Sequence, residues 1–192
     1  MTGAATMQQQ QAKGSTLRST LDFLRAEVGA DAVEDVLAGL PAEERRVVEG
    51  AAATEEVPLA TLLGLWRAVD AAIGARHPDW IERAGAYAIQ GFGVQLYGGI
   101  LRKANPTEFL TQRVSLFQLY YRPGNMEVVE VEPGRAVLRL VGFDPVDTLF
   151  CRRQTGGLLR SVELAGGRGG SVRHVRCSAE GDAFCEWELR WS

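Results

Sequence analysis

The hydrophobic period of this chain changes once, at Pro123-Gly124, and that change limits the folds open to it. Before it, apolar residues recur every three or four positions, as on one face of a helix. Leu17, Leu21, Leu24 and Val28 form one such stripe, with Ser15 read as its N-cap and Gly29 as its stop. Val33, Val36, Leu37 and Leu40 form a second, and Pro41 starts a further helical turn. Pro58 opens a longer helix with Leu59, Leu62, Leu63, Trp66, Val69 and Ile73 on one face. The next is expected to begin near Asp79, a candidate N-cap, and to run to about Lys103. It carries Gly85, Gly91, Gly93, Gly98 and Gly99, each costing about 1 kcal/mol against alanine in a helix. Close helix packing or room for a ligand has to offset that cost. Pro106 starts the last of this group, with Phe109, Leu110, Val114, Phe117 and Tyr120 along one side.

After Pro123-Gly124 the residues alternate. Met126 to Glu132 and Arg135 to Phe143 read as two strands turning at Pro133-Gly134. Asp147 to Ala165 is helical again, with Gly156-Gly157 as its weak point, and a glycine-rich loop follows at 166–170. Val172 to Cys177 and Phe184 to Trp191 read as a closing hairpin, Cys185, Trp187 and Leu189 facing one way and Glu186, Glu188 and Arg190 the other. The predicted fold is therefore α+β: a helical layer packed on a four-stranded antiparallel sheet, built from two hairpins with a crossover helix. Residues 1–13 offer almost nothing to bury and are expected to be a disordered tail. Residues 14–192 are expected to form one domain, with its helical part at 14–122 and its sheet part at 123–192.

A net charge of -3 without a basic segment speaks against nucleic acid as a partner. No run approaches the length of a membrane span, and the first residues lack the pattern of a signal peptide. Three cysteines without an export signal point to a reducing compartment, so a cytoplasmic location is expected.

The ending from His174 to Trp191, with Cys177, Gly181-Asp182, Cys185 and Trp187, resembles the C-terminal signature of an uncharacterised family of roughly 200 residues best known from myxobacteria. Gly14 to Phe23 and Leu158 to Gly167 fit the same family. The ending is also similar to the 4-vinyl-reductase domain of small-molecule sensors such as phenol-responsive activators. That domain sits in a wider superfamily with TRAPP vesicle-tethering subunits and haem nitric-oxide sensors. The resemblance implies a sensory module, or a TRAPP-like interaction scaffold, and a homodimer in either case.

Cys151, His174, Cys177 and Cys185 are the sharpest chemical feature. Phenol-sensing members of the resembling domain hold a structural zinc with three cysteines and one acid at similar spacing, and His174 would stand where they use the acid. A closed zinc site takes four such ligands. In a regular strand, however, His174 and Cys177 point to opposite faces, so they can share an ion only if the strand bulges or ends between them. Two other readings stay open: three thiols packed as small hydrophobes with His174 on the surface, or a redox pair of Cys177 and Cys185.

Tyr87, Phe92, Tyr97, Phe117 and Tyr120 could line a pocket for an apolar small molecule, and equally could be core packing. No G-x-G-x-x-G, P-loop or G-x-S-x-G motif is present, so no nucleotide and no hydrolase chemistry are expected. Haem is not expected either, since the arginine-centred haem-propionate motif of the haem sensors is not recognisable. Asp144 and Asp147 bracket a proline turn and read as caps. The expected function is thus a non-catalytic small-molecule-binding or sensory module with a possible zinc site. A protein-binding scaffold is the alternative, and a reductase is the enzyme reading by analogy.

Overall fold

The computed structural model describes residues 10–93 and 105–192, without the side chains of 92–93 and 111–116. The helical part comprises α1 (Gly14–Glu27), α2 (Ala30–Gly39), α3 (Ala42–Gly50), α4 (Leu59–Ile73), α5 (Trp80–Ala88) and α6 (Pro106–Tyr120). Leu59, Leu62, Leu63, Trp66, Val69 and Ile73 of α4 are all buried, as their spacing requires. Burying each contributes about 1.5–3 kcal/mol.

The main sheet has four strands, β4 (Asn125–Glu132), β5 (Arg135–Val141), β6 (Ser171–Arg176) and β7 (Cys185–Arg190), in the order β4-β5-β7-β6. Every pairing is antiparallel. Helix α7 (Thr148–Leu164) makes the crossover between the two hairpins. This is the predicted α+β arrangement. Gly134 makes the first turn at φ 81°, a left-handed conformation open to glycine. Asp147 caps α7, its Oδ1 accepting from Leu149 N at 3.0 Å, while Asp144 Oδ1 accepts from Val146 N.

Several local expectations change. Residues 1–13 are not disordered throughout: β1 (Gln11–Lys13) pairs antiparallel with β2 (Glu56–Pro58) and with β3 (Tyr121–Arg122) in a small second sheet. Gln10 is buried, and its amide both donates to Asp144 O at 2.7 Å and accepts from Asp144 N at 2.9 Å. Backbone pairing and one amide clamp hold this segment, which composition does not register. Ser15 does not cap α1. The helix begins a residue earlier, and the N–H groups of Gly14 and Ser15 donate to Glu55 O and Ala53 O instead. Asp79 sits at the N-cap position of α5, but its side chain makes no capping bond. The helix expected from Asp79 to Lys103 turns at Ile89–Gly93 into one π-helical turn, and its remainder lies outside the described residues.

Gly156-Gly157 is not a weak point but a crossing point. A Cβ at Gly156 would collide with the backbone carbonyl of Glu82, and one at Gly85 with that of Arg153. Helices α5 and α7 therefore meet backbone to backbone, which is what the cost of these glycines secures.

Candidate metal centre

Strand β6 keeps register with β7 as far as His174↔Trp187, slips between His174 and Arg176, and ends there. That bulge is the departure from regular geometry that His174 and Cys177 need in order to face one point. Cys177 follows the strand in extended conformation. Its N–H donates to Asp182 Oδ2 at 2.7 Å, and its carbonyl accepts from Glu180 N and Asp182 N, both at 3.0 Å. The turn thus folds over Cys177 and returns the chain to Cys185 at the start of β7. Gly181 makes that return at φ 103°. Cys151 arrives from the first turns of α7, fully buried.

The structure brings all four residues together. One donor atom from each of Cys151, His174, Cys177 and Cys185 lies within 4.8 Å of every other. Cys151 and Cys185 sulfurs are 3.5 Å apart, and Cys177 and Cys151 sulfurs 3.9 Å. A tetrahedron with metal–ligand lengths of about 2.0–2.3 Å has edges of about 3.3–3.8 Å, so small side-chain movements would close the set on an ion. No disulfide links the cysteines.

His174 is not a free surface residue. Its ring stacks on Trp187, with centroids 4.6 Å apart and planes at 19°. Its Nε2 is buried and has no hydrogen-bond partner. A buried nitrogen left unpaired costs about 1–3 kcal/mol, and a metal ion would remove that cost. Ser178 lies against Cys185, its N 3.3 Å and its Oγ 3.2 Å from the sulfur. The Cys151 thiol holds Cys185 well below the ordinary thiol range, against burial, and His174 and Ser178 add to the effect. The same bond to Cys185, followed by burial, pushes Cys151 far up. Burial pushes Cys177 up. A thiolate is the form that binds metal, and Cys185 is the residue poised to supply it.

Of the five aromatic residues considered as a pocket, Tyr87, Phe117 and Tyr120 are described, and they fall in two separate clusters. Tyr87 packs edge-on against Phe23 of α1 at 5.8 Å. Phe117 belongs to another cluster, with Tyr121 at 5.2 Å and Phe143 at 5.4 Å, and Tyr120 packs on Tyr121. The side chain of Phe92 and all of Tyr97 lie outside the described residues. The sequence reading missed Arg153, a buried cation on α7. Its position three residues after Phe150 and four before Gly157, both buried, would have placed it on the inner stripe.

No family model matches the sequence, and no curated protein does. Solved structures do match the fold. An H-NOX protein from K. algicida, an A71G mutant solved as Fe(II) unliganded, has a TM-score of 0.73 at 13% identity, over 94% of this chain and 96% of that one. An H-NOX protein from S. oneidensis in the Fe(II)NO ligation state gives 0.72 at 13% identity, over 94% and 99%. A third, from work on heme distortion in the H-NOX family, gives 0.71 at 16%, over 94% and 95%. The fold is therefore that of the H-NOX proteins. These neighbours are not described as 4-vinyl-reductase or TRAPP proteins.

The expectation against haem is corrected by these likenesses. Chains that share nearly the whole fold are described with Fe(II), with NO on Fe(II) and with heme distortion. At 13–16% identity, a motif that cannot be recognised in sequence is no ground for setting haem aside. Among the described residues no helix is long and apolar enough to cross a membrane.

Proposed function

We propose that this chain is a non-catalytic ligand-binding or sensory module of H-NOX fold, in which Cys151, His174, Cys177 and Cys185 hold a structural metal ion. The H-NOX likeness supports the sensory part. The convergence of four donors from Cys151, His174, Cys177 and Cys185, beside the buried and unpartnered Nε2 of His174, carries the metal part. Three sulfurs and one imidazole suit zinc in a closed tetrahedron with no position left for water or substrate. The ion would tie α7, through Cys151, to both strands of the last hairpin.

Haem raises a separate question of donors. The sequence holds two histidines. His174 is committed to the cysteine cluster, and His77 stands half-exposed in the turn between α4 and α5. Neither histidine is assigned to haem iron, and no step is routed through haem.

Cobalt substitution tests the metal centre. Metal-free protein titrated with Co(II) is expected to develop the intense visible bands of a tetrahedral thiolate site, saturating at one equivalent, and His174→Ala to weaken them. A pale octahedral spectrum would refute the assignment.

A further inference from the structure

An imidazole ligand has to be turned to its ion as well as brought near it. That is commonly done by a carboxylate or carbonyl that accepts from the second ring nitrogen. Among the described residues no such bond is made at Nε2 of His174. The ring is held by its face instead, stacked on the indole of Trp187 with centroids 4.6 Å apart and planes at 19°. The orientation of His174 therefore follows that of Trp187.

Trp187 is fully buried in β7, and the one polar group of its side chain is the indole N–H. That N–H donates to Thr155 Oγ1 at 3.0 Å. Thr155 stands on α7 one turn after Cys151, and its hydroxyl donates to the Cys151 carbonyl at 3.1 Å. A hydroxyl has one proton. With that proton on Cys151 O, Thr155 meets the indole as an acceptor, so the direction of both bonds is fixed. The indole cannot turn over without leaving a buried N–H unpaired. One hydroxyl thereby joins the cysteine brought by the helix to the platform under the histidine brought by the strand.

We propose that Thr155 is a positioning residue of the metal centre, fixing the ring of His174 through Trp187. The proposal rests on the reading of Cys151, His174, Cys177 and Cys185 as a metal site. Thr155 is not among the four donors, so its effect on an ion passes through the residues it orients. Valine at this position keeps the branched shape and loses both hydrogen bonds. Serine keeps the hydroxyl and loses only the methyl group.

Titration of the reduced, metal-free full chain with Co(II) tests it. Thr155→Val is expected to bind about ten- to a hundredfold more weakly than the wild type, with displaced visible bands, and Thr155→Ser to stay close to the wild type. In a His174→Ala background, Thr155→Val should weaken binding no further, because its effect runs through that ring. In metal-free protein, proton NMR should show the His174 ring signals moved upfield by the indole, and less so in Thr155→Val. Should Thr155→Val fail to fold, Trp187→Phe removes the same bond from the other side and the same loss is expected. Equal Co(II) affinity in the wild type and Thr155→Val, a serine variant as weak as the valine one, or an undiminished loss in the His174→Ala background overturns the proposal and leaves the metal site standing. A wild-type chain that takes up no Co(II) overturns the metal reading itself, and this proposal with it.

Discussion

Replacing Gly156 with alanine isolates the α5–α7 crossing. In a helix interior the change ordinarily gains about 1 kcal/mol. Here the new Cβ would collide with the carbonyl of Glu82, and its next neighbours are that residue's carbonyl carbon at 2.5 Å and Cα at 2.7 Å. All three belong to α5, so no flexible side chain can yield and the helices have to separate. Overpacking of this kind costs about 1–3 kcal/mol or more, and separation also loosens the buried residues between the helices. A net loss of about 1–3 kcal/mol is expected, or about 2–12 °C in Tm for a chain of this size. Gly39→Ala is the control: it ends α2 with nothing within 4 Å of the new Cβ, and should be neutral or stabilising by up to about 1 kcal/mol. Urea unfolding of both variants supplies the comparison. If Gly156→Ala is as stable as the wild type, the helices do not touch through their backbones and this reading of the glycines is wrong.

Gln10→Ala should cost about 2 kcal/mol by denaturant unfolding, because both backbone groups of Asp144 lose their partner. An unchanged midpoint would mean that the segment is not anchored there. Asp147→Ala removes the α7 cap and the Arg67 pair at 2.7 Å and should cost about 1–2 kcal/mol, most of it from the cap, since Arg67 is half exposed. A loss that vanishes in high salt would assign it to the ion pair instead. Cys185→Ser should lower Tm sharply in metal-loaded protein, and a chelator should bring the wild type down towards the variant. A gap that persists unchanged in chelator would assign Cys185 to packing alone.

The four-strand sheet could be read from the sequence because each of its hairpins pairs alternating apolar residues with a strong turn, as in Cys185, Trp187 and Leu189 after Gly181-Asp182. The cysteine cluster was legible in residue type but not in geometry. Spacing alone sets His174 and Cys177 on opposite faces, and only the slip after His174 turns them to one point. The small second sheet was invisible because strands of two or three residues carry no period. Gly156-Gly157 read as weakness because a glycine pair looks the same whether it loosens a helix or lets another backbone in. Arg153 was hidden because an Arg-Arg pair on a helix looks solvated, yet one member pairs at the surface with Glu82 and the other enters the core.

Metal content bears most directly on the central claim. Protein purified without chelator and measured by elemental analysis is expected to hold about one zinc per chain, falling well below one in Cys151→Ser, His174→Ala, Cys177→Ser and Cys185→Ser alike. Wild-type protein without bound zinc that also fails to take it up when reduced, or a zinc content unaffected by these substitutions, would contradict the claim.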